Sequence, residues 1–551
     1  MALLFLLWTS NDALAQSDPL IEIMSRELDR EYNVLSRQDY PVYYMDYQIW
    51  DTKKLNVSAN LGSLFDSSNS HSRNANGQVR VGDYQLDNTH DLGEQVYSGY
   101  AGNSAMPVPL DNNEKAIAHY LWTLTNLKHQ QATEEYKRIT TLKNEGKTPD
   151  FSKEDPSVFI GEVKDVDFLK RQKQNEDLLK RLSALFLTNK DIASGTVSLT
   201  RDLVTKYFVS TEGTKIVHQQ EYNTLSISAQ IQDNKGVLIP LYRTYFSFDV
   251  NNLPGEAELR SSIEEMIQDL VLLQTAPLAE PYSGPAILHP RVTGVFFHEI
   301  FGHRIEGSRL TSDFDSQTFK EKVGEEVLPK TMHVYMDPTV SQLNDQDLIG
   351  HFMYDDEGVK GRKVTVVKEG KLTNFLMTRK PLKQFTTSNG HARSQAGFDP
   401  VSRQSNLIVD TDKKLSSAEL RKQLIKECKR QNKRYGYYFK DVQGGFTNTD
   451  RFSPNAFNII PTLVYRIYVD GRPDELVRGV DLIGTPLSMF AEISAAGKEV
   501  ETFNGYCGAE SGSVPVSATA PELLVRRIET QKQYSYSNGE EAPILKRPVK
   551  Q

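Results

Sequence analysis

The stretch Val295–Gly307, which reads VFFHEIFGHRIEG, places two histidines and a carboxylate within six residues. The apolar run at its start predicts a helix that packs into a core. Neutral imidazole is a common ligand of zinc, and a carboxylate beside the first histidine can accept a proton from a metal-activated water. The stretch therefore predicts a metal site with His298 and His303 as ligands and Glu299 as the general base.

The two histidines are five residues apart, one more than in the zinc motif whose histidines share one face of a helix. In a regular helix these side chains would point about 140° apart, too far to share one ion. We therefore expect the helix to end or bulge at Gly302, because glycine tolerates backbone angles that other residues resist. The alternative is a buried helix with two ordinary hydrogen-bonded histidines.

Four further motifs follow this stretch in the chain: Tyr354–Gly358, Ser388–Arg393, Val477–Gly484 and Gly505–Gly508. Together with HEIFGHRIEG, they resemble in content and order the TldD/PmbA family of metallopeptidases. The catalytic members of that family carry an HExxxH motif, and their inactive partners lack it. The resemblance runs from about Pro285 to Arg527 and is loose in the N-terminal half.

The resemblance implies a third ligand, Cys507, and one Zn²⁺ per subunit. Two imidazoles and a thiolate leave a fourth position open for water, as in catalytic zinc sites. The resemblance also implies peptide substrates that are short or unfolded. It further implies a homodimer, or a heterodimer with a non-catalytic PmbA-like relative. Without the resemblance, Cys507 between two glycines indicates an ordinary buried residue in a tight turn, and cobalt, iron or nickel suit the same ligands.

Other polar residues have a functional and a structural interpretation. His391 and Arg393 lie in a loop that the resemblance places near the cleft, where an arginine can bind a substrate carboxylate or a developing oxyanion, or stabilise the loop by a salt bridge. Glu306 can orient His303 through a hydrogen bond or lie solvated on the helix surface. The acidic run Asp355–Glu357 predicts a turn, because a calcium site needs many oxygens that converge.

Length and composition exclude some classes of protein. A chain of 551 residues is too long for one core and indicates two or three domains. The 64 basic and 72 acidic residues give a net charge of −8, which argues against nucleic acid as a partner, because phosphate binding needs clustered basic residues. No window after the N-terminus is long and apolar enough to span a bilayer.

Residues 1–15 are typical of a secretory signal peptide. Ala2–Trp8 is apolar, and Ala13–Ala15 is an A-x-A cleavage site. Cleavage predicts a periplasmic or secreted protein; the alternative is a cytosolic N-terminal helix packed on the domain. Two cysteines, Cys428 and Cys507, exclude a disulfide framework, although one bridge between them stays possible.

Alternating and helical patterns predict an α+β fold. Residues 16–275 are predicted as an N-terminal domain of strands and helices, with separate strands at Val42–Trp50 and Leu55–Leu61 and an inserted helical hairpin at about 113–190. A proline-rich connector leads to a C-terminal domain at 285–530, mainly antiparallel and carrying the metal helix. Residues 531–551 are predicted as a loosely held tail.

These observations predict a zinc metallopeptidase that cleaves short or unfolded peptides with a metal-activated water. Two alternatives stay open. One is a metal-binding partner or chaperone subunit with little activity of its own. The other is an exported peptide-binding scaffold with a structural metal, for which a closed fourth coordination position would be diagnostic.

Overall fold

The computed structural model describes residues 18–91, 105–141, 148–311, 315, 317–449 and 457–533. The predicted signal peptide, and all but the first three residues of the predicted tail, lie outside these ranges. Among the described residues, two large sheets lie in succession along the chain, each covered by helices. The predicted α+β fold is confirmed.

The N-terminal sheet has seven strands in the order β3-β2-β1-β5-β6-β4, with β7 also paired to β6. Its pairings are antiparallel except that between β4 and β6. Along β5 and β6 buried residues alternate with partly exposed ones, as expected for strands with one face on a core. The strands are β1 Val42–Asn60, β2 Ser63–Val81, β3 Met106–Pro107, β4 Val158–Ile160, β5 Ile192–Ser210, β6 Lys215–Gln232 and β7 Leu238–Ser247.

The two strands predicted at Val42–Trp50 and Leu55–Leu61 are one continuous strand, β1. The prediction of two separate strands was wrong, because the polar run Asp51–Lys54 continues the strand. In the structure this run pairs with β2 on one side and β5 on the other. Ladder hydrogen bonds hold the run extended, and its side chains need no burial there.

Four helices accompany this sheet: α1 Pro19–Leu35, α2 Glu114–Thr141, α3 Gln172–Ser183 and α4 Glu256–Thr275. The predicted hairpin of α2 and α3 differs from the structure. Helix α2 packs on α1 and β2, whereas α3 packs on β1, β5 and α4, and the two contribute to separate apolar cores. Each helix buries its apolar stripe against the sheet, which offers more apolar surface than the other helix.

The C-terminal sheet has twelve strands among the described residues, with the path β13-β12-β9-β16-β23-β21-β19-β18-β8 and with β17, β20 and β22 paired to members of it. It is mixed rather than purely antiparallel, because β8 with β18, β16 with β23, and β17 with β22 are parallel pairs. The strands from here on are β8 Tyr282–Leu288, β9 Met332–Met336, β10 Gln342–Leu343, β11 Gln346–Asp347, β12 Val364–Lys368, β13 Lys371–Leu372, β14 Ala392–Arg393, β15 Val401–Ser402, β16 Asn406–Thr411, β17 Lys414–Leu415, β18 Tyr435–Thr447, β19 Phe457–Tyr468, β20 Glu475–Val477, β21 Val480–Gly484, β22 Ile493–Ala509 and β23 Gly512–Lys532.

Three helices belong to this half: α5 Pro290–Ile300, α6 Ser417–Arg430 and α7 Pro486–Ala491. Helix α5 packs on β18, β22 and β23 and is buried on nearly all sides. Its sequence, apolar all round, fits that position. The structure therefore sets the two histidines at the end of the most buried helix of this half.

Charged side chains connect the two halves. The Lys206 ammonium on β5 donates to Asp356 Oδ1 at 2.8 Å, and the buried Arg379 guanidinium donates to Glu212 Oε1 at 2.7 Å. Pairs buried in this way depend on close geometry, because each charge has lost its water. These contacts fix the N-terminal sheet over one end of the C-terminal sheet. None of the described helices is long and apolar enough to cross a membrane.

One buried acid of the N-terminal sheet predicts a pH-dependent stability. Burial raises the pKa of Asp46 on β1 to about 7, although hydrogen bonds from Tyr44 and the Gln78 amide act in the opposite direction. The native state therefore keeps a proton that the unfolded chain loses near pH 4, so stability falls as the pH rises from about 4 to about 7. Asp46→Asn removes this dependence, since the amide stays neutral.

The quantity to compare is the melting temperature of Asp46→Asn minus that of the unaltered chain. We expect this difference to be several degrees more positive at about pH 8 than at about pH 5. Thermal unfolding at the two pH values measures the difference. Asp165→Asn, whose side chain is 92% exposed, is the control and should show no such change. If the melting temperatures of Asp46→Asn and the unaltered chain differ by the same amount at both pH values, the role given to Asp46 is contradicted.

Candidate metal centre

The end of helix α5 and the turn after it bring three polar side chains together: His298, Glu299 and His303. The helix stops at Ile300, and a short 3₁₀ turn, Gly302–Arg304, follows it. The Arg304 guanidinium donates to the carbonyls of Glu299 at 2.8 Å and Ile300 at 3.2 Å, which would otherwise lack partners. The change of helical form brings His303 round to the side of His298, as the five-residue spacing required.

Glycine is needed at position 302 because the Gln404 side chain packs closely against it, and not because the backbone angle is unusual. Its φ is not positive, but a Cβ at this position would lie 1.9 Å from Oε1 of Gln404. The same Gln404 amide donates from Nε2 to the His298 carbonyl at 3.2 Å. Gln404 thus occupies the space of the missing side chain and bonds to the backbone of a candidate ligand.

Cys507 reaches the histidines from a hairpin of β22 and β23. It pairs with Val514 within the ladder, so it lies in a strand and not in the predicted tight turn. The two neighbouring glycines suggested the turn, but both have extended φ, and the chain reverses after Ala509, where Gly512 has a φ of +81°. Cys428 is buried in a separate cluster under α6, and the structure contains no disulfide between the two cysteines.

The three candidate ligands converge. One nitrogen of each histidine and Sγ of Cys507 all lie within 4.8 Å of one another, and Sγ lies 3.3 Å from Nε2 of His303. All three side chains are buried. Among the described residues, this is the one cluster of at least three histidine, cysteine or acidic side chains that could hold a metal ion.

The electrostatics of the cluster suit a cation. Burial alone would raise the pKa of Cys507, but the two imidazoles outweigh burial and hold this pKa well below its ordinary value. Burial would likewise lower the pKa of His303, yet Cys507 and Glu306 raise it to about 10. The lowered pKa of Cys507 favours the thiolate, which is the ligand form of cysteine, and a metal ion would displace the proton of His303.

Glu306 orients His303 from the far side. Its Oε2 lies 3.2 Å from Nδ1 of His303 and accepts from Nε of Arg309 at 2.9 Å, while Oε1 lies 3.7 Å from Nε of Arg403. Burial would raise the pKa of Glu306, but His303 and the two arginines lower it to about 2. Arg403 also donates to the Cys507 carbonyl at 2.6 Å, so one buried network supports both ligands. Glu306 is completely buried, and the solvated alternative does not hold.

Glu299 lines a cavity of about 370 Å³ that also borders His298. Burial raises the pKa of Glu299, and the histidine charges offset this only in part. Its Oε2 lies 4.0 Å from Nε2 of His303. Gly445 on β18 passes so close that a Cβ there would lie 2.9 Å from Cγ of Glu299, which leaves the carboxylate turned toward the cavity.

Both halves of the chain form the walls of this cavity. His298 and Glu299 from α5 lie beside segments 443–445 of β18 and 503–506 of β22. The opposite wall comes from the N-terminal sheet and contains Thr224, Ser226, Thr244 and Phe246. Of the three donors, His298 lines this cleft together with Glu299, so one edge of the cluster borders a cavity of substrate size, as in catalytic zinc sites.

The remaining candidates lie away from the donors. His391 is completely buried, and its ring nitrogens face the Asn389 carbonyl and the Ser405 hydroxyl, so it packs beneath its loop. Arg393 donates to the carbonyls of Gln404 and Pro515 and lines a second, adjoining cavity.

Asp355, Asp356 and Glu357 form the predicted turn, and their carboxylates point to three different partners. Asp355 accepts from backbone amides of its own turn and from the amide of Ala392. Asp356 accepts from Lys206, and Glu357 accepts from the Arg379 amide. The three groups do not converge on a cation.

Sequence reasoning missed Arg304, Arg403 and Gln404, which position the ligands from behind. The last two lie in the run Ser402–Asn406, which is polar in sequence yet buried in the structure. A polar run ordinarily indicates a surface loop, because buried polar groups need partners that the sequence does not reveal. The one available signal was an arginine directly after His303.

The sequence matches the family described as "PmbA/TldA metallopeptidase C-terminal domain" over residues 281–532, a range that contains all three donors and Glu299. Residues 281–532 belong to the PmbA/TldD metallopeptidase family. The predicted family is confirmed by this match, and the matched residues include the two histidines and the cysteine that could hold a metal ion.

Two curated relatives agree with this family. A metalloprotease from Archaeoglobus fulgidus is 31% identical over 274 residues, which cover 50% of this chain and 58% of that protein. The chain thus spans less than two thirds of the length of that relative. A protein named zinc metalloprotease TldD homolog, from Saccharolobus solfataricus, is 25% identical over 66% of this chain and 77% of its own length.

The fold is similar over nearly the whole chain to a solved structure, TldE from Thermococcus kodakarensis. The TM-score is 0.61 at 13% identity, and the alignment covers 92% of this chain and 99% of TldE. At this identity the likeness concerns the fold alone. The N-terminal sheet, which lies outside the family match, is therefore part of an architecture that a solved protein shares.

We predict that Gly302→Ala weakens metal binding. The new methyl group would displace Gln404, which bonds to the His298 carbonyl, and overpacking of this kind costs about 1–3 kcal/mol. Zinc affinity, measured by competition with a chelator, should fall at least about tenfold. Gly508→Ala, next to Cys507, is the matched control, because no atom lies within 4 Å of its added Cβ. Equal affinities of the two variants would contradict the role given to Gln404.

Proposed function

We propose that the chain is a zinc-dependent metallopeptidase that hydrolyses short or unfolded peptides. One observation carries the proposal: the three donors converge, and one of them, His298, borders with Glu299 a cleft large enough for a peptide segment. Two imidazoles and a thiolate suit zinc, and the name of the Saccharolobus solfataricus relative supports that metal.

His298, His303 and Cys507 would hold the ion. When bound, zinc acts as a Lewis acid toward the substrate carbonyl and activates water. Glu299 accepts the proton of the attacking water, and its raised pKa favours this transfer at neutral pH. The water oxygen adds to the carbonyl carbon, the C–N bond breaks, and Glu299 passes the proton to the leaving amine.

The shape and lining of the cleft support the proposed substrate class. Backbone segments at 443–445 and 503–506 border the cavity, and polar and apolar side chains of the N-terminal sheet close it on the far side. A folded domain would not fit a cavity of about 370 Å³, whereas a single extended segment does. This supports short or unfolded peptides as substrates.

Two further predictions accompany the proposal. We propose that the protein pairs with a second copy or with a non-catalytic relative, and that residues 1–15 direct its export. Light scattering of the purified chain measures its oligomeric state.

N-terminal sequencing of the protein recovered from its native compartment shows whether residues 1–15 have been removed.

We predict that Glu299→Gln abolishes hydrolysis while zinc stays bound, because the amide cannot accept the proton and is not a ligand. Cleavage of a fluorescence-quenched peptide library should fall at least about a hundredfold. Zinc content by elemental analysis should not change. Glu258→Gln, in the first turn of α4, is the control.

Retained hydrolysis by Glu299→Gln with zinc bound would exclude Glu299 as the base. No hydrolysis by the unaltered, zinc-loaded chain would favour the alternative of a partner or scaffold protein.

A further inference from the structure

A second cavity of about 210 Å³ adjoins the candidate metal centre. It lies between the N-terminal sheet and the C-terminal half, and its walls are rich in aromatic rings. The aromatic residues that line it are Trp50, Tyr222, Phe352, Tyr354 and Tyr506. We call it the aromatic pocket.

The aromatic pocket is next to the metal donors along the β22–β23 ladder. Tyr506 precedes Cys507 and lines both the aromatic pocket and the cavity over Glu299. On the partner strand, Pro515 lines the pocket and Val516 lines the cavity. Because strands advance about 3.4 Å per residue, the pocket opens within one or two residues of the site where a scissile bond would lie.

Charged groups in the pocket wall have partners within the protein. Lys206 pairs with Asp356 and lies 3.8 Å from the centre of the Trp50 ring. Arg393 donates to two backbone carbonyls at 2.6 and 2.7 Å. Asp202 forms an ion pair with Lys54.

This distribution of charge favours an uncharged occupant. A basic side chain in the pocket would meet Lys206 and Arg393, and an acidic one would meet Asp202 and Asp356. An apolar side chain avoids repulsion from both pairs of charged groups and would pack against the aromatic walls. An aromatic side chain would gain ring–ring contacts in addition to the apolar area that it buries.

The size fits one large side chain. A protein cavity of roughly 150 Å³ holds a benzene molecule, so about 210 Å³ accommodates one aromatic ring with its methylene group. It is too small for a folded element or a cofactor of ordinary size.

We propose that the aromatic pocket binds a large apolar side chain of the substrate, aromatic in preference to aliphatic, at a residue that flanks the scissile bond. The proposal rests on the peptidase function proposed above and adds a substrate preference to it. Trp50 and Tyr222 come from β1 and β6, outside the residues of the family match. Substrate selection would therefore involve the N-terminal sheet together with Phe352, Tyr354 and Tyr506 of the C-terminal half.

The first test uses quenched peptides that differ at one position, with cleavage sites mapped by mass spectrometry. The zinc-loaded chain should cleave peptides with phenylalanine at the selected position roughly ten- to a hundredfold faster than those with alanine. Trp50→Ala should reduce this ratio at least about fivefold and leave the alanine peptide nearly unaffected. Trp122→Ala is the matched control, because Trp122 lies on α2 with 44% of its surface exposed.

A second variant tests the pocket by filling it. Val204 on β5 also lines the aromatic pocket, and Val204→Trp should exclude the phenylalanine side chain while zinc content stays unchanged. Loss of phenylalanine preference in both variants, with cleavage of the alanine peptide retained, is the expected result. Cleavage by the unaltered chain without any preference for a large apolar residue would overturn the proposal.

A binding measurement separates failure of the pocket from failure of the peptidase function. N-acetylphenylalanine amide, titrated by calorimetry, should bind the chain at least about tenfold more tightly than N-acetylalanine amide, and Val204→Trp should abolish the difference. This result without hydrolysis would support the pocket and contradict the peptidase. Hydrolysis without this difference would support the peptidase and contradict the pocket.

Discussion

A buried contact between an imidazole and a thiolate is the interaction on which the site depends. Nε2 of His303 and Sγ of Cys507 are 3.3 Å apart, although 204 positions separate the residues in the chain. Two charged groups without water are costly unless further charges and hydrogen bonds surround them. Glu306, Arg309 and Arg403 supply that environment, and Arg403 also bonds to the Cys507 backbone. The buried network therefore holds both donors in place.

The architecture divides the work between two sheets. The C-terminal sheet supports α5 and the hairpin of Cys507, and thus holds the donors and the base on rigid elements. The N-terminal sheet contributes no donor, but it closes the cleft and forms part of the aromatic pocket. Ion pairs such as that between Lys206 and Asp356 join the two and keep the cleft narrow.

The sequence predicted those features of the site that depend on residues close together in the chain. The spacing of His298 and His303 predicted an interruption of the helix, and the interruption occurs between them. The position of Cys507 beside the histidines followed only from the family resemblance, since nothing near it in the chain indicates a ligand. Non-local reasons escaped prediction: Gly302 is a glycine because Gln404 packs against it, and β1 continues through a polar run because two neighbouring strands pair with it. The aromatic pocket likewise combines residues from distant strands.

The central claim is that Cys507, together with the two histidines, holds the metal. The most direct measurement is the optical spectrum of the cobalt-substituted protein, in which a thiolate ligand gives a charge-transfer band. The account predicts that the band is present in the unaltered chain and in Cys428→Ser, and is lost in Cys507→Ser. Because the chain has only these two cysteines, the pair of variants is decisive. A band that survives in Cys507→Ser would contradict the account.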